Sequence, residues 1–94
     1  MRGELVDFND LPTETQTIFL LIKKELHEIF EDKPDLYVFG SYFWGFWDEQ
    51  SDYDVRIFDK EFDGREISKM FMEKHKIKVH LMVISEKRKG ILIP

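Results

Sequence analysis

The chain has no cysteine, which excludes a disulfide scaffold and thiolate metal sites and agrees with a reducing, cytoplasmic setting. It has no apolar run near the roughly 20 residues that span a bilayer, and Met1-Arg2-Gly3-Glu4 does not open a signal peptide, so no membrane role is expected. Positive charge is also short. With 14 lysines and arginines against 19 aspartates and glutamates the net charge is -5, the opposite of what a general nucleic-acid binder needs to neutralise phosphates. A small nucleotide escapes that exclusion, because a metal and backbone amides can meet its charge locally. Repeats, low-complexity tracts and linkers are missing as well, and 94 residues make one domain, 1–94, with one modest core. So small a core leaves room for partner subunits.

What is present is aromatic and periodic. Half of the fourteen aromatic residues, Tyr37, Phe39, Tyr42, Phe43, Trp44, Phe46 and Trp47, fall in one short stretch, too rich for a small domain to bury entirely. Residues 1–11 show no clear period and are expected as an arm or a short preliminary turn. Thr13-Glu14-Thr15-Gln16 has the spacing of a capping box, so a helix is expected to start there. Its stripe would be Ile18, Leu21, Ile22, Leu26, Ile29 and Phe30, with Lys23, Lys24, Glu25 and Glu28 on the wet side, and Lys33-Pro34-Asp35 would stop it. His27 and His75 are expected as surface residues. Strands are expected at 36–39, 52–58 and 77–84, a brief helix or turn at 41–47, a polar loop at 48–51, a turn at 59–64 and a helix at 65–75. Glu86 to Lys89 and the apolar 90–94 form a tail, packed on the domain or on a partner. The order helix, strand, strand, helix, strand permits an α/β fold, a small mixed sheet of three or more strands with helices on one side.

The chemistry concentrates between residues 40 and 56. In a strand, alternate side chains share a face, so Asp52, Asp54 and Arg56 would project together while Tyr53, Val55 and Ile57 turn the other way. Two carboxylates that close repel, and a hard divalent cation such as Mg²⁺ relieves the repulsion while taking substrate phosphates as further ligands. Gly40, after the apolar run 36–39, lets backbone approach a ligand, and Ser41 can open a helix whose N–H groups face an anion. The pattern reads as a metal–triphosphate site.

Phe39-Gly40-Ser41-Tyr42-Phe43-Trp44-Gly45, followed by Ser51-Asp52-Tyr53-Asp54-Val55, resembles the signature of the minimal nucleotidyltransferases of the DNA polymerase β superfamily: Gly-Ser, ten residues, Asp-x-Asp. The resemblance implies a nucleotidyltransferase-like fold and transfer of a nucleoside monophosphate from a nucleoside triphosphate, ATP first among them, to a hydroxyl. It implies that Asp52 and Asp54 hold Mg²⁺ or Mn²⁺, and that Gly40 and Ser41 hold the β- and γ-phosphates. It also suggests the antitoxin half of a toxin–antitoxin pair in which such domains adenylylate a HEPN-type toxin, with self-association as another form of partnership.

Three departures accompany the resemblance. The family's third carboxylate, metal ligand and proton acceptor, aligns with His80, whose imidazole can accept a proton but suits Mn²⁺ or Zn²⁺ better than Mg²⁺. Where members often carry arginine after Gly-Ser, this chain has Tyr42, Phe43 and Trp44. Arg56 either clamps a phosphate, pairs with Asp54 in the metal's place or points to solvent. A catalytically inactive binding module, joining a partner through its aromatic patch, is therefore the alternative expectation, and a regulatory or structural fragment of a larger enzyme is a third.

Overall fold

Four strands carry the fold: β1 (Leu36–Phe39), β2 (Tyr53–Phe58), β3 (Val79–Ile84) and β4 (Ile91–Leu92), side by side in the order β3-β2-β1-β4. This computed structural model describes residues 7–58, 61–84 and 90–94. Part of the expected arm (1–6), part of the expected turn (59 and 60) and the basic stretch 86–89 lie outside the described residues. β1 runs antiparallel to β2 and β4, and β2 runs parallel to β3. A parallel pair needs a crossover, and α3 (Gly64–His75) supplies it. The expected mixed sheet of three or more strands flanked by helices is thus present, with the fourth strand, β4, coming from the tail.

Period-two alternation decides which face is covered. Leu36, Val38, Val55, Ile57, Leu81 and Ile91 are buried, and they share one cluster with Phe19, Ile22 and Leu26 of α1 (Thr13–Ile29) and Phe71 of α3. The other face carries Phe39, Asp54, Arg56, His80 and Met82, which register places across neighbouring strands. No helix among the described residues is long and apolar enough to cross a membrane.

The capping box expected at Thr13 does not form. The N-cap is Pro12, which has no N–H to donate in a reciprocal bond, and Gln16 Nε2 instead donates to the Leu11 carbonyl at 2.8 Å. A 3-10 turn at Phe8–Asp10 creates this arrangement by burying Phe8 and Leu11 and carrying their backbone past Gln16. The apolar stripe is also rotated from the expected one: Phe19 lies at its centre, fully buried, while Ile29 is 44% exposed. Phe19 earns that position by edge-on contacts with Tyr42 at 5.5 Å and Tyr53 at 5.3 Å.

Neither of the two helix histidines is a bare surface group. His27 Nε2 lies 2.9 Å from the Pro34 carbonyl, and His75 Nε2 lies 2.9 Å from Glu25 Oε2. Lys74 Nζ reaches the same Glu25 oxygen at 2.9 Å, so α3 is clasped to α1, and Glu25 is nearly buried instead of wet. Sequence spacing could not show these contacts, since the partners come from different elements.

The apolar tail packs on its own domain. Ile91 pairs with Val38 and Leu92 with Tyr37, the Ile93 N–H donates to the Leu36 carbonyl at 2.9 Å, and Lys23 Nζ donates to the Ile93 carbonyl at 3.3 Å. β4 covers the edge that β1 would otherwise leave open.

Candidate functional site

The site begins where β1 hands over to α2 (Gly40–Trp44). Gly40 adopts a φ of +68°, and a Cβ there would overlap Asp54 Oδ2. Only glycine satisfies both demands. Asp54 stands opposite Phe39 in the β1–β2 ladder, so its carboxylate lies directly on the glycine turn. The short helix closes at Gly45, φ 82°, whose N–H donates to the Ser41 carbonyl at 2.9 Å.

Across the other ladder Asp54 faces His80, and His80 Nδ1 lies 2.9 Å from Asp54 Oδ1. The imidazole is 64% exposed and the carboxylate 27% exposed. Asp52 falls one residue before β2, not within it. Ser51 is held back by Asp48, through its N–H to the Asp48 carbonyl at 3.2 Å, and the ladder resumes with the Tyr53 N–H donating to the Lys78 carbonyl at 2.9 Å. Asp52 is consequently exposed at the mouth of the strand.

Arg56 neither pairs with Asp54 nor points away. Its guanidinium lies over the Phe39 ring, 3.8 Å from the centroid, a cation–π stack that holds the charge beside Gly40. Phe39 is a contributor that motif reading passed over. The parity that turns it to the Arg56 face was the available signal.

Two hollows meet here. The smaller, about 280 Å³, is lined by Phe39, Gly40, Asp54, Arg56, His80 and Met82 among others. The larger, about 630 Å³, runs along β3 and α3 and takes Asp52, His80, Ser68, Lys69 and Lys78 into its wall. Asp52 and Asp54 thus open into different hollows, and His80 borders both.

The donor set bears on what ion fits. No three His, Cys, Asp or Glu side chains among the described residues form a metal-holding group. Asp54, on the glycine turn, offers carboxylate oxygen of the kind a hard divalent cation takes together with phosphate and water oxygens, while Asp52 opens into the neighbouring hollow. His80 adds nitrogen in place of carboxylate oxygen, and its Nδ1 is engaged by Asp54.

The aromatic stretch divides. Tyr42 and Phe43 are buried, and Tyr42 stacks between Trp47 at 5.6 Å and Tyr53 at 5.4 Å. Burial, with Tyr53 beside it, pushes the Tyr42 phenol up to about 12. Trp44 and Phe46 remain 43% and 67% exposed.

No curated protein and no solved structure matches the chain significantly. Residues 21–92 match the nucleotidyltransferase domain family, and the match takes in the glycine turn, Asp52, Asp54, Arg56 and His80. That family implies a nucleoside triphosphate as substrate and a divalent metal in general. With a mixed sheet flanked by helices and a matched stretch that covers most of its length, the chain belongs to the nucleotidyltransferase domain family, as a minimal nucleotidyltransferase of the DNA polymerase β-like superfamily.

Proposed function

We propose that the protein transfers a nucleoside monophosphate from ATP to a hydroxyl with the help of Mg²⁺ or Mn²⁺. Asp52 and Asp54 hold the cation, and Gly40, Ser41 and Arg56 receive the triphosphate. A bound divalent cation supplies charge stabilisation for the phosphoryl oxygens in such chemistry. The residues do the positioning: Phe39 keeps Arg56 flat beside the turn, and His80 keeps Asp54 from rotating. In this reading the ring nitrogen of His80 that Asp54 does not engage accepts the hydroxyl proton. The observation that carries the reading is the contact of Asp54 with Gly40, which joins the two halves of the motif. Transfer of label from α-labelled ATP, lost in Asp52→Asn and Asp54→Asn, tests it. Equal absence of transfer from wild type and variants would defeat it.

The acceptor in the fuller form of this proposal is a partner protein, a HEPN-type toxin in a cytoplasmic toxin–antitoxin pair. Exposed Trp44 and Phe46, close in sequence to the glycine turn, support a protein contact, since exposed aromatics are frequent interface anchors. Label from ATP appearing on a co-expressed toxin supports this form, and label absent from the toxin while other hydroxyl acceptors are modified contradicts it.

A second reading, an inactive module that binds a partner through those aromatics, is favoured by the hydrogen bond that occupies Asp54 Oδ1. Calorimetry with ATP and each metal separates the two. Metal-dependent binding contradicts the inactive module. Silence with both metals, together with a partner complex lost in Trp44→Ala, contradicts the enzyme.

A further inference from the structure

We propose that the larger hollow is the acceptor site, and that the acceptor it takes is a small hydroxyl-bearing anion of the phosphate-monoester class. This rests on the nucleotidyl-transfer reading above and replaces its protein acceptor with a small-molecule one. The hollow measures about 630 Å³, inside the roughly 300–1,000 Å³ usual for small-molecule sites. The smaller one, about 280 Å³, has room beside Gly40 and Arg56 for phosphate groups and little else.

Position assigns the roles. Asp54 opens into the smaller hollow, Asp52 into the larger, and His80 borders both. A nucleophile must approach away from the departing pyrophosphate, so it needs an entrance of its own. A hydroxyl in the larger hollow reaches the shared wall past Asp52. Its oxygen forms a bond to the α-phosphorus, and the bond from that phosphorus to the oxygen bridging the β-phosphate breaks. Pyrophosphate leaves with the electron pair, and the hydroxyl proton passes to the ring nitrogen of His80 that Asp54 does not engage.

Charge assigns the ligand class. Lys69 and Lys78 line the hollow, and neither has a carboxylate partner among the described residues. Arg65, by contrast, is paired with Asp63 at 3.6 Å. With Arg65 and Asp63 paired, the hollow keeps two ammonium groups against the one carboxylate of Asp52, an excess of positive charge that favours an anion there. Ser68 is already committed, its Oγ donating to the Val79 carbonyl at 2.7 Å, so the lysines are left to recognise the phosphate.

Glycerol 3-phosphate, with hydroxyls beside one phosphate, is the probe. Titrated into the isotope-labelled full chain and followed by amide NMR, it is expected to give saturable shifts at Ser68, Lys69, Lys78 and His80. Lys69→Glu with Lys78→Glu is expected to weaken that binding about tenfold or more, whereas Lys24→Glu with Lys33→Glu, neither of which lines the hollow, leaves it unchanged. No saturable shift, shifts confined to Gly40, Ser41 and Arg56, or equal weakening by both pairs would overturn the proposal. A separate titration with ATP and Mn²⁺ keeps the two readings apart. ATP shifts at Gly40 and Ser41 without a glycerol 3-phosphate site sink the acceptor site alone. A glycerol 3-phosphate site without ATP binding upholds the hollow as a phosphate-monoester site and sinks the donor reading.

Discussion

His80 Nδ1 and Asp54 Oδ1 lie 2.9 Å apart, across the parallel ladder that makes the two residues direct neighbours. The resemblance to the minimal nucleotidyltransferases implies a third carboxylate at this position, and an imidazole brings no carboxylate charge to a cation there. A site with nitrogen in place of oxygen shifts toward Mn²⁺. His80→Asp is therefore expected to move the preference of label transfer from Mn²⁺ toward Mg²⁺ by about tenfold, as thiolate–imidazole–carboxylate selectivity trends lead one to expect. Rates with each metal check it, and an unchanged ratio would remove His80 from the metal's surroundings.

Gly40 tests the glycine turn. Gly40→Ala puts a Cβ into the Asp54 carboxylate and forces an L residue to a φ of +68°. The strained backbone alone costs about 1–3 kcal/mol. Urea unfolding is expected to show a loss of that order together with a loss of label transfer. Full stability with full transfer would contradict the tight packing.

Arg56 tests the cation proposed to receive the triphosphate. Arg56→Lys keeps the charge but loses the planar fork that lies over Phe39 and can grip two phosphate oxygens. Calorimetry is expected to show ATP affinity falling about tenfold. Unchanged affinity would place the triphosphate elsewhere.

Glu25 tests the clasp between α1 and α3. The His75 hydrogen bond first, and the Lys74 hydrogen bond next, hold its carboxyl below the ordinary value of 4.5. A carboxyl whose folded pKa is depressed contributes stability that is complete above its unfolded value and is lost as pH falls through its folded one. Glu25→Gln is expected to lower stability by about 1 kcal/mol at neutral pH and to flatten the acid limb below pH 4.5. Equal losses at neutral and acid pH would show that the clasp is not electrostatic.

Much of the candidate site's layout was legible because its logic is local, but Asp52, expected on the strand face with Asp54, falls outside the strand and opens into another hollow. Glycine at a strand end, serine after it and two aspartates around one strand residue announce themselves by spacing, and β1, α3 and the Asp54–Arg56 face follow from period and parity. What could not be read depends on contacts between distant segments. β4 is two residues long and exists only because β1 offers an open edge. The turn of α1 toward Phe19 is set by Tyr42 and Tyr53, and the stack of Arg56 on Phe39 by the register of β1 against β2. The Thr13 spacing misled because capping depends on where the preceding turn delivers Pro12.

Transfer of label from α-labelled ATP by the wild type and by Asp54→Asn, each assayed with Mn²⁺ and with Mg²⁺, tests the central claim most directly. Metal-dependent transfer by the wild type that falls at least about a hundredfold in the variant is the expected result, since the carboxylate on the glycine turn is assigned to hold the cation. Transfer that survives the substitution undiminished would contradict the account.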